Sequence, residues 1–210
     1  MKLYTFDPAP NPQRLKLFME YKAISIDTHQ VDFQGQEQRS DEYLAIIPTG
    51  TVPALVLDNG DILTSVVAMT HYLEALYPER PLLGSTPEEK AAVLDWNHRL
   101  FTEVFRAVAD VFRNTSPGFE GRALPGTQNY AQIPELAERG AHQLQHAFGV
   151  LNGELSERDF LAGSTFSMAD IDLLALLHFA GWSIKTKPYD SLEHLLAWQQ
   201  RAQAALEQSN

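Results

Sequence analysis

The sequence predicts an α/β domain over residues 1–78 and an all-helical domain over residues 87–210, joined by a linker at 79–86. Three observations carry this. The chain opens as strand, helix, strand and then turns into a short hairpin and a further helix. Beyond Pro87 everything reads as helix. Between the two lies Tyr77-Pro78-Glu79-Arg80-Pro81-Leu82-Leu83-Gly84, a stretch punctuated by prolines.

Lys2 to Phe6 reads as the first strand. Asp7-Pro8-Ala9-Pro10-Asn11-Pro12 follows, and because proline fixes φ and is tolerated at the first helical position, this is a rigid loop delivering the chain onto a helix at about Pro12 or Gln13. Leu15, Phe18 and Met19 form that helix's apolar stripe through Tyr21, and Ile24 to Val31 alternates as a strand, completing a βαβ unit with a right-handed crossover. Gln34 to Arg39 is a polar loop, with Ser40 placed to cap a short helix through Leu44. Pro53 cannot donate to a ladder, so it belongs at the entry to the strand Ala54 to Leu57. Asn59-Gly60 is a hairpin turn, returning antiparallel through Ile62 and Leu63. Either Thr64 or Ser65 caps the next helix, which carries Val66, Met69, Tyr72 and Leu73 and is stopped by Pro78.

In the second domain, Ala91 to Arg113 is expected as one long helix with Trp96, Leu100, Val104 and Val108 inward. Asp95, Arg99, Glu103 and Arg106 stand on its other face at pairing distance, which reads as a solvated face. Thr115 to Gly126 is a glycine- and proline-rich loop, and Ile133 to Leu151 the next helix. Within that helix His142 and His146 have the spacing of a zinc pair, but no glutamate base stands between them and no third ligand is evident, so they read as solvated or capping histidines and no metal is expected. Ser167 and Asp170 approximate a capping box, with Phe166 and Ile171 placed as a hydrophobic staple; the helix they open is nearly apolar, hence central, and Asp170 is structural. A last helix runs from about Ser191 to Glu207.

The composition narrows the class. Hydrophobic residues make up 44% and charged ones 20%, an ordinary globular mixture. With 16 basic and 27 acidic side chains the net charge is -11, and the cations are scattered, which excludes a nucleic-acid backbone binder but not a small anion held by helix N-termini. There is no cysteine, so disulfides, thiolate metal sites and a protein thiol nucleophile are all excluded. No apolar run reaches the length of a membrane span, and the first residues lack a signal-peptide core, so the expected location is the cytoplasm.

Four segments in this order, Ala9 to Arg14, Thr51-Val52-Pro53-Ala54-Leu55, Asp58-Asn59-Gly60 ahead of Thr64-Ser65, and Phe166 to Ile171, together resemble a cytosolic glutathione transferase of bacterial type. The similarity covers essentially the whole chain. It implies a thioredoxin-like first domain that binds glutathione as a co-substrate with no other cofactor, a helical domain that supplies much of the electrophile pocket, and a homodimer. It implies that Val52, before a cis Pro53, presents its backbone to the cysteinyl part of glutathione. It further implies that Thr64 and Ser65 receive the γ-glutamyl carboxylate, with Thr64 standing where most relatives have Glu or Gln, and that Gln38 reaches the glycyl end. Read from the residues alone, Pro53 is also explained as a strand-entry residue and Ser65 as a cap.

The nucleophile in such chemistry is the glutathione thiol, and the protein must favour its thiolate with a hydrogen-bond donor. Relatives place a serine or cysteine at the position of Ala9, or a tyrosine near Phe6; neither residue here can donate. In relatives whose first loop reads Thr-Pro-Asn-Gly the asparagine contacts the glutathione sulfur. Here Ala9 and Pro12 replace the threonine and glycine, and the retained Pro10-Asn11 implies Asn11 as the catalytic candidate, its amide being a competent donor, while read from the residues alone an Asx turn or helix N-cap before Pro12 also explains it. Tyr4 and Arg14 are weaker substitutes. The expected activity is addition of the thiolate to a small, largely apolar electrophile, in a pocket to which Arg99, Phe101, Glu103, Phe105 and Arg106 are candidate contributors. The alternatives are a glutathione-dependent disulfide reductase or peroxidase, and a glutathione-binding or protein-interaction module without catalysis.

Overall fold

The structure is a computed structural model that describes residues 1–184 and 189–207, and it divides into two compact units. The first comprises Met1–Glu79 together with Leu124–Asn129, and the second Arg80–Ala123 and Tyr130–Asn210.

The first unit runs β1 (Lys2–Thr5), α1 (Pro10–Tyr21), β2 (Asp27–Gln30), α2 (Asp41–Ile46), β3 (Ala54–Val56), β4 (Ile62–Leu63) and α3 (Val66–Leu76). The sheet order is β2-β1-β3-β4. β1 and β2 are parallel, with Tyr4 opposite His29, whereas β3 runs antiparallel to β1 and sets Leu3 opposite Leu55 and Tyr4 opposite Ala54. Alternation then sorts the faces. Leu3 and Leu55 are buried on one side, the side of the packed pair α1 and α3, which contribute Leu15, Phe18, Met69 and Leu73 to the interior. Ala54 clusters on the other with Val31, Tyr43 and Ile47, and Tyr4, Phe33 and Val52 pack against them. At the far end of α1 the buried Lys22 ammonium lies 2.7 Å from Glu74 of α3 and donates to the Glu79 carbonyl.

α1 begins earlier than the sequence suggested. Its first residue is Pro10 and its N-cap is Ala9, so Asn11 lies inside the first turn and is not the N-cap. The physical reason is that an α-helix has no use for the N–H groups of its first turn, so two prolines fit there as readily as one. Ser40 caps α2 as expected, accepting from Tyr43 N at 3.2 Å.

The second unit contains α4 (Pro87–Arg99), α5 (Arg106–Thr115), α6 (Pro134–Glu154), α7 (Met168–Ser183) and α8 (Glu193–Glu207). The single helix expected over 91–113 is instead two, for it starts at a Thr86–Glu89 capping box and is interrupted by a wider π turn over Leu100–Phe105. That turn costs α-helical hydrogen bonds. Gln143 of α6 compensates, donating to the carbonyls of Thr102 and Glu103 at 3.0 and 3.2 Å. α5 and α6 approach so closely at Gly140 that a Cβ there would stand 2.8 Å from the Ala107 carbonyl oxygen.

α7 is central, with Ile171, Leu173 and Ala180 fully buried, and its cluster includes Trp96, Leu100, Val104, Leu144, Phe148 and Trp198. At its start Asp170 Oδ2 accepts from the Ser167 N–H and hydroxyl, while Oδ1 accepts from Leu161 N and Trp198 Nε1 at 3.0 and 2.8 Å. Ser167 thus donates its hydroxyl to the aspartate. Burial pushes the Asp170 carboxyl up, and the four donors oppose that shift without cancelling it. His142 and His146 are both exposed, and among the described residues no three His, Asp or Glu side chains are grouped to hold a metal ion. No described helix is long and apolar enough to cross a membrane.

Candidate active site

The strand register brings the predicted residues of the first unit to one end of the sheet. β1 ends at Thr5 and leads into the loop that starts α1, which carries Asn11. β3 is antiparallel to β1, so the residues before Ala54 lie at that same end. Leu63 is opposite Leu55; continuing the antiparallel register sets Thr64 across from Ala54 and Ser65 across from Pro53. β2 ends there as well, Val31 N donating to Thr5 O at 2.7 Å, before the chain passes to Gln38.

The start of α1 has an unusual donor inventory. Pro10 and Pro12 have no N–H, so Asn11 supplies the only backbone N–H among the first three helical positions. The Asn11 side chain accepts from Arg14 Nη1 through Oδ1 at 2.9 Å. A guanidinium only donates, so the amide must present its oxygen to Arg14 and its NH2 the other way. Arg14 is itself buried. Ahead of α1, Asp7 is held by Lys16 at 3.0 Å and exchanges hydrogen bonds with Gln30. Burial pushes the Asp7 carboxyl up, but the Gln30 hydrogen bond and the Lys16 ammonium outweigh it and leave the group below its ordinary range. Phe6, where a donor was absent from the sequence, stacks on Phe33 with ring centroids 4.6 Å apart.

The Val52–Pro53 peptide is cis. Val52 is half-buried, and neither its N–H nor its C=O is paired with a described residue. The loop before it is fixed by the Tyr43 hydroxyl donating to Thr51 O at 2.8 Å, and by a Thr49–Thr51 hydroxyl pair. Burial, then the Glu37 charge, pushes the Tyr43 phenol up, so it remains a donor.

Thr64 and Ser65 are exposed. Ser65 is the N-cap of α3, with extended backbone at φ -110 and ψ 131, yet its hydroxyl makes no capping bond. The first N–H groups of α3 therefore remain without that intrahelical acceptor, at the positive end of the helix dipole. Gln38 sits in a short 3-10 turn, Glu37–Arg39, and is only 9% exposed, with its Oε1 buried and unpartnered. An orphaned buried acceptor is costly and marks a place where a partner is missing.

One end of a four-stranded sheet thus collects a helix start with a free Asn11 NH2, an unpaired backbone pair beside a cis proline and a second helix start with a free hydroxyl, and the turn that follows β2 carries a glutamine whose buried Oε1 lacks a partner. Family models for the N-terminal and C-terminal domains of glutathione S-transferase match residues 3–81 and 117–204. Glutathione S-transferase 2 of Saccharomyces cerevisiae is 32% identical over 205 residues, covering 97% of this chain and 85% of that protein. The chain belongs to the glutathione S-transferase family.

Solved structures agree with the membership. A glutathione S-transferase domain-containing protein of Marinobacter aquaeolei superposes with a TM-score of 0.87 at 31% identity, covering 97% of this chain and 98% of that one. Gtt2 of Saccharomyces cerevisiae gives 0.86 at 30% identity over the full length of both chains. Glutathione S-transferase GstA of Escherichia coli is 27% identical over 202 residues, covering 89% of this chain and 92% of that protein. As a family member the chain has a mixed sheet flanked by helices, then an all-helical unit. Sequence reasoning passed over two residues of this end: Asp7, which ties the first loop to β2, and Arg39, which lies in a polar stretch read as loop. The proline spacing carried no signal for either.

Proposed function

We propose that the protein is a glutathione transferase in which Asn11 favours the thiolate of bound glutathione, and the thiolate attacks an electrophilic carbon of a small, largely apolar substrate. The observation that carries this is the set of unspent groups at one sheet end: Asn11 N–H and Nδ2, both backbone groups of Val52, and the Ser65 hydroxyl at the start of α3. Family membership supports glutathione as the molecule that uses them.

Each role follows from the chemistry of its group. Val52 N–H and C=O suit the peptide backbone of the cysteinyl residue, in the manner of a short strand addition. The Ser65 hydroxyl and the α3 N-terminus suit the γ-glutamyl carboxylate, and Thr64 stands beside them. Two donors on Asn11 and the α1 dipole favour negative charge on sulfur. The sulfur lone pair then forms the new carbon–sulfur bond, and the leaving group departs with the electron pair of the bond it breaks. The thiol proton has already passed to solvent. Positioning and thiolate stabilisation are the protein's whole contribution. A homodimer is part of the same proposal, on the tendency of soluble proteins toward two-fold assembly; ultracentrifugation at micromolar concentration with a monomer alone would refute that part.

Asn11, standing near the positions where other relatives have a hydroxyl or thiol donor, supports a second reading, a glutathione-dependent disulfide reductase or peroxidase. Parallel assays with an aromatic halide, with 2-hydroxyethyl disulfide and glutathione, and with a hydroperoxide separate the two. Turnover of the halide above the others is the expected result; turnover of the disulfide or peroxide alone overturns the transferase reading.

A further inference from the structure

The C-terminal end of α5 and the turn that follows it bring two guanidinium groups together. Arg113 donates from Nε to the Ala123 carbonyl at 2.7 Å and from Nη2 to the Arg122 carbonyl at 3.0 Å, and Arg122 donates from Nη2 to the Gly118 carbonyl at 2.8 Å. All three acceptors are neutral. Among the described residues no carboxylate lies within ion-pair distance of Arg113, and Glu120 on the same turn is exposed. Burial, and then the like charge of Arg122, brings the Arg113 guanidinium down to about 10. The carbonyls therefore fix the direction of this guanidinium without neutralising it, and the N–H groups on Nη1 take no part in those bonds.

An aromatic surface adjoins the pair. The Arg113 guanidinium lies over the Phe119 ring at 4.3 Å. Phe119 meets Phe112 edge-on at 5.1 Å, and Phe112 in turn meets Phe179 and Trp182 of α7 edge-on at 5.7 and 5.2 Å. Phe112 and Phe119 are half-buried, and the run ends at the Trp182 indole, which is 49% exposed while Trp96 and Trp198 are buried. Rings open to water that lead to an unneutralised cation match a ligand flat and apolar along its body and negative at one end.

We propose that Arg113, Arg122, Phe119, Phe112 and Trp182 form a binding site for an aromatic anion, an aryl carboxylate or sulfonate whose rings lie along Trp182 and Phe112 and whose charge meets the two guanidinium groups. The site lies wholly within the second unit and stands independently of the glutathione reading. Charge complementarity selects this occupant. A chain with a net charge of -11 repels anions over most of its surface, so adjoining guanidinium groups mark a place where one is held.

Calorimetry of the full chain with 2-naphthoate and with 2-naphthamide, alike in shape and different in charge, tests it. The parent is expected to bind the naphthoate about tenfold more tightly than the amide. Arg122→Gln and Arg113→Gln are each expected to bring that ratio toward one by weakening the naphthoate alone. Arg113 also fastens the turn, so Arg122→Gln, in which both Arg113 bonds to backbone carbonyls persist, decides the matter should the Arg113 variant fail to fold. Trp182→Ala is expected to weaken both probes about fivefold and to keep the parent's ratio. A ratio near one in the parent, the parent's ratio retained in Arg122→Gln, or unchanged affinities in Trp182→Ala overturns the inference, and so does failure of the parent to bind the naphthoate.

Discussion

Arg14 donates to the side-chain oxygen of Asn11, three residues before it in the same helix, and so occupies the amide's acceptor while the amide NH2 stays a donor. With Ala9 as the N-cap and prolines on either side, the asparagine does no capping work, and the pair separates two effects that a cap would have merged.

Asn11→Ala should lose no cap, but it takes one acceptor from the buried Arg14 guanidinium, so a stability loss of about 1 kcal/mol is expected from that contact. Glutathione should still bind. The bound thiol's pKa should rise by about one unit, which is roughly a tenfold loss of thiolate near neutral pH. Asn11→Asp should keep the Arg14 contact and give a stable protein with the thiol pKa raised further. Ultraviolet titration of the bound thiolate checks both, and a pKa equal to the parent's in the aspartate variant defeats the assignment.

Ser65→Ala should separate binding from folding in the same way. Because the hydroxyl makes no bond at the α3 start, its loss should cost little stability. Losing a charge-assisted bond to the γ-glutamyl carboxylate should weaken glutathione by roughly 1 to 3 kcal/mol. Calorimetry beside a urea titration reads both numbers; equal affinity with lowered stability reverses the interpretation.

Asp170→Ala should be severe. It leaves Leu161 N, Ser167 N and Trp198 Nε1 buried without their acceptor, and each such donor costs about 1 to 3 kcal/mol. A loss of at least ~3 kcal/mol in urea unfolding is expected, with Trp198→Phe costing less because Asp170 Oδ1 keeps the Leu161 N–H when the indole donor is gone.

Acid should weaken the first unit through Glu37. The Asp32 N–H is the largest influence and lowers its carboxyl; burial opposes it, and the His29 hydrogen bond and charge add to the lowering, so the group lies below its ordinary range. The folded value lies below the unfolded one, so the stabilisation is complete above the unfolded pKa and is lost as pH falls through about 4.3 and below. Glu37→Gln should remove that part of the decline in melting temperature between about pH 5 and pH 3. An unchanged slope refutes it.

Features legible in the chain were those with local causes. The Asn59-Gly60 hairpin, the Ser40 cap and the apolar central helix each depend on residues within a turn or a period of one another, and the parallel first strand pair follows from the strand, helix, strand order. The start of α1 was misplaced because two prolines in one first turn satisfy the same local rule as one, so spacing could not choose between Pro10 and Pro12. The π turn was invisible because its carbonyls are satisfied by Gln143, forty residues on, and nothing within the turn announces that.

By itself the sequence determined the class, the order of elements in the first unit and the family, since hydrophobic period, turn chemistry and motif order are properties of the chain read in line. Tertiary structure alone decided which polar groups are spent and which are left over. Ser65 looks like any cap until its hydroxyl is found unused, Gln38 like any loop glutamine until its Oε1 is found buried without a partner, and Arg39 like any surface cation until Asn129 is found holding it. Hydrogen-bond satisfaction is settled by neighbours brought from anywhere in the chain, and it is the unsatisfied remainder that outlines a site.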